Sequence, residues 1–208
     1  MNLSNEALIT ALFSAVTDGD LKMVKHLLDQ KNITANSVAV NMAFLKATKH
    51  DHYDIVEVLT RYVLDINVMD AQGWNALNYA VSNKSSKIVL LLIRKGVEVN
   101  SLTPSGFSAL HIAATHDAVD CAALLLDHGI DIDARDIDGM TPLMASIDAG
   151  EYILGPNVAR VLIERGADLN IKDNEGETIL DYFTYHRSSM TVIDQQLYEL
   201  VKSNLRST

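Results

Sequence analysis

The stretch T-P-S-G-F-S-A-L-H-I-A at residues 103–113 is answered 33 residues later by D-I-D-G-M-T-P-L-M-A-S at 136–146. The same text stands upstream as D-A-Q-G-W-N-A-L-N-Y-A at 70–80 and downstream as D-N-E-G-E-T-I-L-D-Y-F at 173–183. Each copy is built on one glycine, and Gly73, Gly106, Gly139 and Gly176 are spaced 33, 33 and 37. A second series, Gly96, Gly129 and Gly166, keeps step at 33 and 37 and opens G-x-(D/E)-(V/I/L)-(N/D) at 96–100, 129–133 and 166–170. Seven of the ten glycines therefore obey one period. A fixed period of this length marks a repeat architecture, in which each unit is completed by its neighbours.

The text between the glycines reads as two short helices. The first is apolar at Leu77, Ala80 and Val81, or at Leu110, Ala113 and Ala114. The second is apolar at Ile88, Val89, Leu91 and Leu92, or at Cys121, Ala122, Leu124, Leu125 and Leu126. Helices of about two turns do not persist alone in water and must stack. The glycine after the second helix suits a left-handed C-cap, and the one before the first suits a tight turn of positive φ. Thr141 and Pro142 fit a helix start, threonine as cap and proline in the first turn.

In these motifs, S-A-L-H-I-A at 108–113 and T-P-L-M-A at 141–145 above all, the chain resembles the ankyrin repeat family. The resemblance implies an all-α solenoid of about six helix-turn-helix repeats joined by short hairpin loops. They begin near Asn5, Thr34, Asn67, Asn100, Asp133 and Asn170, and residues 1–208 are read as a single domain with atypical end repeats as caps. In the second repeat Val40 and Val63 replace the two glycines, which predicts distorted turns. Four extra residues fall within 151–157, between the helices of repeat five. They predict a loop or a one-turn extension of the first helix, and Gly155 belongs to this insertion.

Composition narrows the function. Lys plus Arg number 17 against 27 Asp plus Glu, a net charge of −10 and a pI near 5.0. Such a surface disfavours nucleic acid and anionic membranes, both of which require cationic patches. The lone Cys121 excludes an internal disulfide framework. The beginning of the chain lacks a basic segment and carries Glu6, so no signal peptide is expected and the protein is read as cytoplasmic. No catalytic motif is present: there is no P-loop, G-x-G-x-x-G, G-x-S-x-G or H-E-x-x-H. Cys121 reads as a small buried hydrophobe, with a reactive thiol as the alternative. His111 stands where the family places a histidine that braces a turn, with a general base as the alternative. His50-Asp51-His52 has metal-like spacing but offers one pair of ligands only. No enzyme, cofactor or metal is expected.

The positions that the framework leaves free point to a partner. The resemblance implies that hairpin tips and first helices face it. Trp74, Phe107 and Met140 follow the first glycine in successive repeats, Met69, Leu102 and Arg135 stand four residues before it, and Ile137 lies two before Gly139. Three large side chains at one offset predict an exposed apolar stripe, although each could instead pack on its own hairpin. Residues 115–151 hold nine acids, Asp136, Asp138 and Asp148 among them, against Arg135 alone. That charge reads either as a solvated face or as complementarity to a basic partner. The expected function is stoichiometric binding or inhibition of a basic protein by a chain that is monomeric by itself. An adaptor or scaffold, or a bacterial effector acting on a host protein, is the alternative reading, and an enzyme the outlying one. Tyr152 in the insertion is the remaining candidate contact.

Overall fold

The computed structural model describes residues 5–29, 37–147, 155–185 and 192–205. The chain divides into two compact units, Met1–Glu98 and Val99–Thr208, and the division falls at a repeat boundary. The first unit holds α1 (Asn5–Thr17), α2 (Leu21–Leu28), α3 (Ser37–Lys49), α4 (Tyr53–Leu59), α5 (Ala76–Ser82) and α6 (Ser86–Arg94). The second holds α7 (Ala109–His116), α8 (Val119–Asp127), α9 (Pro142–Ala145), α10 (Pro156–Glu164), α11 (Ile179–Tyr185) and α12 (Val192–Leu205). These are six helix pairs in an all-α repeat fold, and among the described residues the one extended pairing is the bridge between Leu102 and Ser108. No helix of the described residues is long and apolar enough to cross a membrane.

Packing follows the period. In the first unit α1, α3 and α5 pack in a row of first helices, and α2, α4 and α6 form a second row behind them. In the second unit α7, α9 and α11 form one row and α8, α10 and α12 the other. The residues that read as apolar seams are the core: Leu77, Ala80, Val81, Leu110, Ala113, Ala114, Ile88, Val89, Leu92, Cys121, Ala122 and Leu125 are all sealed from solvent. Leu124 and Leu126, by contrast, remain half exposed on the outer side of α8.

Helix starts are capped at the repeat period. Asn75, Ser108 and Thr141 each accept the backbone N–H three residues on with a side-chain oxygen. The loop that opens a repeat is latched in the same phase to the loop that closes it. Asn67 Oδ1 accepts the Glu98 N–H at 2.7 Å, Asn100 Oδ1 that of Asp131 at 2.8 Å, and Asp133 Oδ1 that of Asp168 at 3.0 Å. These side chains satisfy exposed loop donors that no helix or sheet ladder reaches.

Repeat two departs from the expected distorted turn. Val40 lies inside α3 and is 1% exposed, so the helix runs straight through the position of the missing glycine. A β-branched residue is strained at positive φ but tolerated in a helix, and the longer α3 is the consequence. In repeat five α9 ends at Ala145 after four residues, whereas α5 and α7 have seven and eight. An extended first helix is thus not what the described residues show. Asp148 and Tyr152 lie outside them.

Candidate partner-binding surface

The hairpins are closed by one recurring device. Asp70, Thr103, Asp136 and Asp173 each pair backbone N–H to carbonyl with the residue four further on, which is Trp74, Phe107, Met140 or Glu177. The side chain then accepts the return N–H. Asp70 Oδ1 takes Trp74 N at 3.0 Å, Thr103 Oγ1 takes Phe107 N at 3.1 Å, and Asp136 Oδ1 takes Met140 N at 2.8 Å. The offset of Trp74, Phe107 and Met140 is therefore fixed by backbone closure. Burial tends to raise the Asp70 carboxyl. Hydrogen bonds from the Tyr79 hydroxyl and from the Trp74 and Gln72 N–H groups outweigh it and hold the group below 3.8. The Tyr79 hydroxyl is pushed up to about 12 by burial, by that same bond and by the charge of Asp70. Tyr182 repeats the contact on Asp173 at 2.7 Å.

These contacts revise the apolar stripe. Trp74, Phe107 and Met140 are half-buried. The indole of Trp74 lies against Tyr79 with ring centroids 5.2 Å apart, and Phe107 stacks on His111 at 5.5 Å. They lean on their own repeats. Replacing Phe107 with alanine is accordingly expected to cost about 1–2 kcal/mol of folding stability, a fraction of full aromatic burial plus the ring contact, in a urea titration. The side chains that do stand in solvent are Met69 at 42%, Leu102 at 47% and Ile137 at 68% exposure.

The acids divide likewise. Asp136 is 8% exposed and its carboxylate is committed to the N–H groups of Asp138 and Met140, so it is removed from the set of partner contacts. Asp117 accepts Asn157 N at 3.0 Å and Val158 N at 2.9 Å at the start of α10, and Asp127 pairs with Arg165 at 2.8 Å. Arg135 bridges hairpins, donating from Nε to the Gly139 carbonyl at 3.1 Å and from Nη2 to that of Lys172 at 3.0 Å. Asp138 keeps its carboxylate in solvent. Residues 1–98 carry ten bases and ten acids, while residues 99–208 carry seven bases and 17 acids. The whole net charge belongs to the second unit.

His111 braces two hairpins. Its Nδ1 accepts the Ser108 N–H at 3.1 Å, which leaves the proton on Nε2 to donate to the Met140 carbonyl at 3.0 Å. Burial drives its pKa below 6.5 against the pull of the Met140 carbonyl and of Asp136. The unfolded chain then binds more protons in the window between the folded value and 6.5, so stability is full above 6.5 and falls as the pH drops through it. Wild type is expected to lose stability relative to His111→Gln between about pH 7 and about pH 5, read as the difference in melting temperature. Asp70 and Asp173, both held below 3.8, lose their contribution only in stronger acid, which separates the two windows. His52 is also a brace, its Nε2 lying 3.2 Å from the Thr17 carbonyl. Among the described residues no group of three or more side chains is arranged to hold a metal.

Sequence reasoning missed one feature entirely. In the first unit Phe13 of α1 and Met42, Leu45, Lys46 and Lys49 of α3 line a hollow of about 410 Å³ with His50, residues 70–72 and Tyr79. The residues come from three successive repeats, and the flat sequence gives no signal that brings them together.

The family profile described as ankyrin repeats (3 copies) matches residues 12–103, 44–136 and 96–173, well over half of the chain. The chain belongs to the ankyrin repeat family. An ankyrin repeat protein of fowlpox virus (strain NVSL) is 39% identical over 72 residues, a stretch that covers 35% of this chain and 12% of the viral protein. Ankyrin repeats are protein-interaction modules, and the exposed hairpin residues and the hollow are where this one offers side chains that its framework does not consume.

Proposed function

We propose that this ankyrin chain is a non-enzymatic recognition module that binds one protein partner through the hairpin tips of the Val99–Thr208 unit, that the partner presents a basic surface, and that binding blocks it. The observation that carries the reading is Ile137, 68% exposed beside the solvated carboxylate of Asp138 in the unit that holds the entire net charge. Leu102, 47% exposed on the preceding hairpin, supplies a second apolar contact. An exposed apolar residue in an acidic surround supports a two-part encounter: charge raises the association rate, and the apolar contact sets the residence time.

The test uses the full chain as bait in its native lysate, at low and high salt. Wild type should retain a basic protein that salt releases, because surface charges are screened beyond about 8 Å at physiological ionic strength. Ile137→Asp should abolish retention, and replacing two exposed acids of this unit by asparagine, Asp120 in the first turn of α8 and Asp138, should slow association and flatten its salt dependence. Titrating the captured protein with the ankyrin chain should extinguish its activity at equimolar ratio. A partner that stays fully active in the complex ends the blocking role, and one indifferent to salt and to all three substitutions ends the whole reading.

A further inference from the structure

The hollow in the Met1–Glu98 unit has the opposite character to the hairpins of the other unit. Its floor is apolar, formed by Phe13, Leu45 and Met42, the last 46% exposed. Its rim carries Lys46 and Lys49 from the last turn of α3, and among the described residues neither is in an ion pair within 4 Å. The Lys49 ammonium lies 5.4 Å from the Tyr79 ring centroid, which holds the charge at the mouth. Asp70 is the one carboxylate in the lining, and its oxygens are occupied by the Tyr79 hydroxyl and by the N–H groups of Gln72 and Trp74. His50 reports the same local field. Its pKa is lowered by burial and then by Lys46, His52 and Lys49.

We infer that this hollow is a second recognition site, which takes an acidic peptide segment of a partner protein by seating a large apolar side chain on Phe13, Met42 and Leu45 while flanking carboxylates meet Lys46 and Lys49. Charge complementarity selects this occupant. In a chain of net charge −10, Lys46 and Lys49 outnumber Asp70, the one carboxylate of the lining, whose charge also feels Lys49, so the mouth over the apolar floor keeps a net positive charge that attracts carboxylates and repels a basic segment. The floor asks for more than charge. A bare anion would leave Met42 and Phe13 wet, whereas a side chain of leucine or phenylalanine size covers them. The site differs in residues and in sign from the acidic hairpins, so it stands or falls separately from the function proposed above.

The test is selection of a random peptide library on the full chain, with the variant carrying Lys46→Glu and Lys49→Glu as counter-selection. The chain should enrich sequences that place aspartate or glutamate beside a large aliphatic or aromatic residue. Synthetic copies of these peptides, measured by fluorescence anisotropy, should bind the charge-reversed variant at least ten-fold more weakly. Met42→Asp should weaken them comparably. Lys46→Gln with Lys49→Gln, which removes charge from a half-buried and an exposed stem while keeping much of their length, guards against a folding artefact and should give an intermediate loss at unchanged melting temperature. Ile137→Asp should leave peptide binding intact. Enrichment of neutral or basic peptides, or affinity that survives charge reversal, overturns the proposal. So does concentration-dependent self-association that the Lys46 and Lys49 reversal abolishes, since the occupant would then be a second copy of the chain.

Discussion

Gly155→Ala is expected to destabilise the chain by about 3 kcal/mol, at the upper end of what overpacking a closed site costs. A Cβ added at Gly155 would stand 1.9 Å from the carbonyl oxygen of Ala114 and 3.0 Å from its carbon. Those are backbone atoms of α7 at a residue with no solvent exposure, so no flexible side chain can swing aside. The glycine is held from both directions as well. Its N–H donates to the Ser146 carbonyl at 3.0 Å, and its own carbonyl accepts the Ala159 N–H at 2.8 Å in the first turn of α10. Two residues on, the Asp117 carboxylate takes the N–H and the side-chain amide of Asn157. Retreat of the chain would forfeit these bonds together. Gly129→Ala is the control. It has positive φ but nothing within 4 Å of the added carbon, so it should cost about 1 kcal/mol for the backbone alone. Urea unfolding of both variants distinguishes the cases, and equal costs would mean that α10 can leave α7 freely.

That contact shows where reading the sequence stops. The glycine period was legible because a positive φ or a closed turn restricts the residue type wherever it recurs. The apolar seams were legible because helical spacing maps directly onto burial, as at Leu77, Ala80 and Val81. Gly155 was visible only as a residue outside the period, since the carbonyl that excludes a side chain there lies 41 positions earlier. The turn between paired helices takes a positive φ at Gly19 but also, at 50–59°, at Asp51, Lys84 and Asp117, so residue type did not mark it. Here local capping overrides intrinsic preference, and composition gives no warning. The candidate surface divided for a related reason. Exposure at Ile137, 68%, and burial at Asp136, 8%, belong to adjacent residues of one hairpin. Their difference is set by which side chain closes the turn. The hollow lined by Phe13, Met42, Lys49 and Tyr79 could not be read at all, because stacking, not sequence, brings those residues together.

Phe44→Ala should lower stability by about 3–5 kcal/mol, the range for removing a buried aromatic side chain. Phe44 has no solvent exposure and is among the largest fully buried side chains of the described residues. It sits in mid-α3, and α3 packs on α1, α4 and α5. It occupies the repeat position that Leu12, Leu77, Leu110 and Leu143 fill elsewhere, each at most 1% exposed. Neighbouring repeats stabilise one another through their interfaces, so a void at this position weakens the contacts of α3 with the first helices on both sides. A conservative change separates loss of volume from loss of shape. Phe44→Leu restores the side chain found in the other repeats and should cost under about 1.5 kcal/mol, because most of the hydrophobic volume remains. The comparison also tests the helical reading of Val40, since the register that buries Phe44 is the one that carries α3 through the missing glycine. An alanine cost below about 1 kcal/mol, measured by urea titration with helical ellipticity as the signal, would place Phe44 outside the core and break that register.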